Sequence, residues 1–145
     1  MATITLEVTG KFDKQRDCSA LLYAPLAGSA TFLQARIYRF DYDGDREQLR
    51  AFVYRTLVDH HAHEFNDAGD PAITGHDFFL EIGMKPGVLD NEKEAVLEFY
   101  RSQVEPGFDL VNLQIFRRYY IFGSIEVEIF VRDMCNPAVH SWQAG

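Results

Sequence analysis

Ile4, Leu6 and Val8 alternate with Thr5, Glu7 and Thr9, which predicts a strand with one buried face. Residues 13–24 then read as a helix that stops before Pro25. From 31 to 43, β-branched and aromatic types dominate and predict a second strand. Asp45 stands where a helix cap belongs, ahead of Leu49, Phe52, Val53, Thr56 and Leu57 at helical spacing. Asn, Asp, Gly and Pro cluster at 66–76, which is turn chemistry, and divide the chain in two. The order then recurs. Phe78, Leu80 and Ile82 mark a strand, and Asp90 or Asn91 opens a helix with Ala95, Val96, Phe99 and Tyr100 on one face. Residues 110–122 are strand. In 124–135 the alternation of Ile125, Val127, Ile129 and Val131 suits a strand, but the order of the first half assigns a helix.

The recurrence extends to residue identities. Leu6-Glu7-Val8 and Lys11 correspond to Leu80-Glu81-Ile82 and Lys85 at an offset of 74 (80 − 6, 85 − 11). Arg39-Phe40 and Gly44 correspond to Arg118-Tyr119 and Gly123 at 79 (118 − 39), consistent with an insertion at the 104–109 loop. Leu57, His63 and Phe65 correspond to Met134, His140 and Trp142 at 77 (134 − 57). The expected fold is α+β: two tandem β-α-β(β)-α repeats at 3–65 and 77–142, joined by a 66–76 linker. As a pseudo-dimer, their antiparallel sheets would carry helices on the outer faces and join by edges or faces, hiding strand edges.

Composition narrows the partners. Twenty-two acids against fourteen bases give a net charge of −8, so no basic excess exists for broad phosphate neutralisation, and a nucleic-acid partner is not expected. No apolar run approaches the roughly 20 residues of a membrane span, and Met1-Ala2-Thr3-Ile4-Thr5 does not read as a secretory leader. Cys18 and Cys135 are too few and too far apart for a disulfide framework or a CxxC site. The expectation is a cytoplasmic protein with inert thiols.

Lys85-Pro86-Gly87-Val88-Leu89-Asp90-Asn91, followed by an amphipathic helix, closely resembles the KPGVLDPQG opening of PurS, the small non-catalytic subunit of phosphoribosylformylglycinamidine (FGAM) synthase. Leu113-Gln114-Ile115-Phe116-Arg117-Arg118-Tyr119-Tyr120 resembles that family's second strand, with a second arginine where the family has Gly or Asn. Met134-Cys135-Asn136-Pro137 is similar to its closing helix, shortened. The tandem arrangement resembles the N-terminal domain of single-chain FGAM synthase, in which two PurS-like units form an internal pseudo-dimer. The likeness covers 77–142 nearly completely, and 3–65 mainly in layout. It implies a scaffold that bridges the synthetase and glutaminase of purine biosynthesis and does no chemistry alone. It also implies no cofactor. No ATP-grasping Gly-rich loop and no Cys/His/Glu glutaminase set is present to alter that.

The candidate partner-binding residues are Lys85, Pro86, Gly87, Asp90, Phe116, Arg117, Arg118, Tyr119, Tyr120 and Trp142. Aromatics and arginines are the types enriched at interface hot spots. In a strand, Arg117 and Arg118 point to opposite faces and cannot grip one anion, so ion pairing within the protein competes with a partner role for them and for Arg36 and Arg39. Pro86-Gly87 is a rigid turn into the capped helix. His60, His63 and Glu64 would share a helix face at i, i+3 and i+4, a weak metal possibility beside the plainer reading of a solvated helix end. No nucleophile has a base beside it. Two alternatives to the PurS role remain: the same fold recruited as a structural subunit of an unrelated complex, and a small enzyme or sensor with a site between the repeats.

Overall fold

The alternating N-terminal segment forms β1, Ala2–Gly10, with Ile4, Leu6 and Val8 buried. A two-residue strand, β2 (Arg16–Asp17), and a 3-10 turn at Cys18–Ala20 follow, where a helix over 13–24 was expected. Lys14, Gln15, Arg16 and Asp17 give that segment no apolar face to bury. Instead the Asp17 carboxylate accepts the Ser19 N–H at 2.8 Å and starts a tight turn. Cys18 is buried, and Leu21, Leu22 and Leu26 pack against its cluster. An irregular loop does the covering a helix would have done.

The remaining elements are β3 (Thr31–Gly44), α1 (Arg46–Thr56), β4 (His63–Asp67), β5 (Phe78–Met84), α2 (Asn91–Arg101), β6 (Phe108–Phe122), α3 (Val127–Met134) and β7 (His140–Ala144). The computed structural model describes residues 1–67 and 73–145, so most of the expected 66–76 linker lies outside the described residues. Asp45 caps α1 by accepting the Glu47 N–H, and Asp90 caps α2 by accepting those of Glu92 and Lys93. On α2, Leu97 rather than Phe99 shares the core face with Val96 and Tyr100, and Phe99 is 57% exposed. The ambiguous 124–135 segment is helical from 127. It is amphipathic, with Phe130 fully buried. β4 and β7 were not expected, because five residues such as His-Glu-Phe-Asn-Asp are too few and too polar to show alternation.

Among the described residues, all seven strands join one antiparallel sheet ordered β4-β1-β3-β6-β5-β7, with β2 against β3. Of the two expected ways to join, edges rather than faces meet, so the helices lie on a single face of one sheet and not on the outer faces of two. Phe32, Tyr38 and Phe40 of β3 and Leu113, Tyr119 and Ile121 of β6 all point to that face. α1 and α2 cover it beside Ile4, Leu6 and Val8, and α3 covers it beside Leu80 and Ile82. The long β3·β6 ladder, from Thr31↔Phe122 to Gly44↔Phe108, joins the two ends and removes the strand edges each half would otherwise expose.

The ladders also correct one alignment. Val8 pairs with Arg36, and Ile82, which stands 74 residues later, pairs with Arg117. Arg36 and Arg117 thus hold matching positions, at an offset of 81 (117 − 36) rather than 79. Arg39 does not match Arg118.

Candidate functional site

Strand alternation separates the candidate residues of β6. Arg117 and Tyr119 face the helices; Phe116, Arg118 and Tyr120 face the other side. On that second side Arg118 and Tyr120 are buried, 9% and 0% exposed, and are engaged with one another, which removes them from any partner-facing surface. Arg118 donates from Nε to Glu81 Oε1 at 2.8 Å and from Nη1 to the Tyr120 hydroxyl at 3.1 Å. The Tyr120 hydroxyl in turn donates to Glu7 Oε2, and Gln143 Nε2 donates to Glu81 Oε2 at 2.6 Å. The guanidinium also lies 4.3 Å from the Phe79 ring centroid. Two buried carboxylates therefore share one cation, and Glu7 Oε1 has no hydrogen-bond partner among the described residues. Phe116 lies over Gly83, where a Cβ would come within 2.6 Å of the ring. Only glycine admits that approach.

The sequence reading missed Glu7 and Glu81 because alternation puts their strand positions on the face expected to meet water. Their recurrence in Leu6-Glu7-Val8 and Leu80-Glu81-Ile82 was the available signal.

The helical face holds a second constellation, along the β3·β6 seam. Arg36 and Arg117 are cross-strand neighbours at its centre. Arg36 pairs with Glu92 of α2. Arg117 is exposed and has no ion pair among the described residues. On either side lies a cavity. One, of about 340 Å³, is lined by Arg36, Tyr38, Leu57 and His63; the other, of about 130 Å³, by Arg117, Tyr119, Met134 and His140. Glu92 borders both.

Two alike turns position the histidines. Asp59 N–H donates to His63 Nδ1 at 3.1 Å, and Asn136 N–H to His140 Nδ1 at 2.9 Å. His61 N–H reaches Asp59 Oδ1, and Ala138 N–H reaches Asn136 Oδ1, each at 3.0 Å. Lys11 donates its N–H to Ala62 O and its ammonium to His60 O; Lys85 does the same to Val139 O and Pro137 O. Because each Nδ1 accepts, each neutral ring carries its proton on Nε2. Arg117 and His140 thus give the smaller cavity two hydrogen-bond donors. It can hold an acceptor by hydrogen bonds, but it presents no activated nucleophile.

The other candidates fall as follows. Lys85, Pro86, Gly87 and Val88 form a turn closed by Val88 N–H to Lys85 O, with Gly87 at φ 85°. Asp90 spends its carboxylate on the cap, so the α2 amides it binds are not open to an outside anion. Trp142 lies on β7 and is 48% exposed. His60, His63 and Glu64 are not on a helix, since α1 ends at Thr56. His60 packs edge-on against Tyr54, and Glu64, opposite Thr9 in β4, points away from His63. Among the described residues, no three His, Cys, Asp or Glu are placed to hold a metal ion. Burial pushes the Cys18 thiol up to about 11 and Cys135 upward too, which keeps both protonated and poorly nucleophilic. Among the described residues, no helix is long and apolar enough to cross a membrane.

Burial also pushes the phenols of Tyr38 and Tyr120 up to about 12. An acid whose pKa is raised by folding stabilises the fold fully below its unfolded value near 10 and loses that contribution as pH rises towards 12. An ultraviolet titration should therefore show Tyr38 and Tyr120 ionising late, together with unfolding. Tyr120→Phe should remove one of them. Seven phenols titrating alike near 10 would contradict the burial described.

No family model, curated protein or solved structure matches the chain.

Proposed function

We propose that the chain is a non-catalytic assembly subunit, two PurS-like modules folded as a pseudo-dimer, that bridges the synthetase and glutaminase of an FGAM synthase. The observation that carries this reading is the repeated turn. Four hydrogen bonds around Asp59–His63 recur, donor for donor, around Asn136–His140. Such repetition is what a duplicated module leaves behind. The β3·β6 ladder makes the two halves one body, as a bridge between other proteins requires.

The halves have also become unlike. The second carries α2 and the Pro86-Gly87 turn where the first has the 11–30 loop, so the two ends offer different surfaces. Beside that turn Met84 and Leu89 are 42% and 69% exposed, and Phe99, towards the end of α2, is 57% exposed, apolar area that a partner can cover.

Affinity capture of the tagged chain from its native extract tests this. Recovery of a synthetase and a glutaminase is the expected result. Recovery of an unrelated complex would mean the fold serves a different assembly, and a partner-free chain that binds a metabolite would overturn the scaffold reading.

A further inference from the structure

We propose that the groove beside Trp142 docks an extended segment of a partner protein, which lays an aromatic side chain on the indole and turns a carboxylate towards Lys85. The inference rests on the assembly reading and names the chemistry of one of its contacts. The other end of the same sheet shows what such a strand position takes. Phe65 of β4 corresponds to Trp142 of β7, and α1 roofs it: the Tyr54 ring lies 5.6 Å from Phe65, the Arg50 guanidinium 5.3 Å from it, and His60 packs edge-on against Tyr54 at 4.0 Å.

Around Trp142 the corresponding helix, α3, supplies no such ring among the described residues. Val131, Arg132, Cys135 and Pro137 border a groove of about 570 Å³ instead, and among the described residues no ring packs on the indole. Pro137 occupies the turn position that His60 holds in the first half. The space an aromatic fills at one end is open at the other.

Two further features choose the occupant. Among the described residues β7 ends the sheet with no strand on its far side, so an extended segment can add to it through main-chain bonds. Lys85 borders the groove, gives its ammonium only to the Pro137 carbonyl and has no acid partner among the described residues. In a chain of net charge −8, that uncompensated cation favours an acidic side chain on the incoming segment.

The test uses fluorescein-labelled pentapeptides, Asp-Glu-Tyr-Asp-Glu and its alanine-centred counterpart, titrated by anisotropy against the full chain. The tyrosine peptide should bind at least about tenfold more tightly than the alanine peptide. It should also shift the emission of the single tryptophan to the blue. Trp142→Ala, at a half-exposed edge position, should weaken the tyrosine peptide by about tenfold, and Lys85→Gln should weaken both peptides. Equal binding of the two peptides, unchanged binding by the Trp142→Ala protein, or no binding would overturn the inference. If the tyrosine peptide binds selectively while capture recovers no synthetase or glutaminase, the groove stands and the PurS role falls.

Discussion

Arg118→Ala lowers the free energy of unfolding by about 3–5 kcal/mol, the range for breaking a buried ion pair by removing one partner. The cost comes from what stays behind. Glu7 and Glu81 are 0% and 4% exposed, and without the guanidinium both carboxylates remain dry and uncompensated. Tyr120 also loses the Arg118 donor to its hydroxyl. Adding Glu7→Gln and Glu81→Gln to the alanine protein should return part of the loss, because neutral amides keep the shape while removing the buried charge. Urea unfolding of the single and triple variants measures both effects. A loss below about 1 kcal/mol, the scale of an exposed pair, would mean that water reaches the network.

Phe130→Ala has a comparable expected cost, about 3–5 kcal/mol, and a more informative consequence. Phe130 is the fully buried residue of α3, a helix of eight residues without a side-chain cap, and packs against Phe78. On the opposite end Phe52 of α1 packs against Tyr100 and Phe108. The two clusters share no residue, yet β3 and β6 run through both. Damage at either end should therefore destabilise the whole sheet. Trp142 fluorescence, at the α3 end, and far-ultraviolet circular dichroism should follow one urea transition in both Phe130→Ala and Phe52→Ala proteins. Two separated transitions in the Phe130→Ala protein would show that the halves unfold independently and that the central ladder does not join them.

These effects locate where the sequence was readable. The strands at 2–10, 31–44, 78–84 and 108–122 are long enough to show alternation or β-rich composition, and the caps at Asp45 and Asp90 are chemically distinctive. Opposite facing of Arg117 and Arg118 follows from strand period alone. The segment 13–24 was misread because its leucines fit a helix while Lys14–Asp17 have nowhere to bury. Glu7, Glu81 and Arg118 were opaque for a different reason. Arg118 reaches Glu7 across β3, where Ala35 stands between Thr9 and Arg118, and that proximity exists only once strand order is known. His63 and His140 were seen as a matching pair, but their shared role, accepting a turn N–H at Nδ1, is a fact of backbone geometry. The edge strands β4 and β7 are too short to announce themselves, so Trp142 was placed by its correspondence to Phe65 rather than by alternation.

The bridging role stands or falls on the mass of the complex recovered when the tagged chain is captured from native extract. If the chain bridges those enzymes as proposed, one particle, sized by light scattering, should contain it together with a synthetase and a glutaminase. A captured chain that elutes at its own 16.6 kDa, free of both, would contradict it.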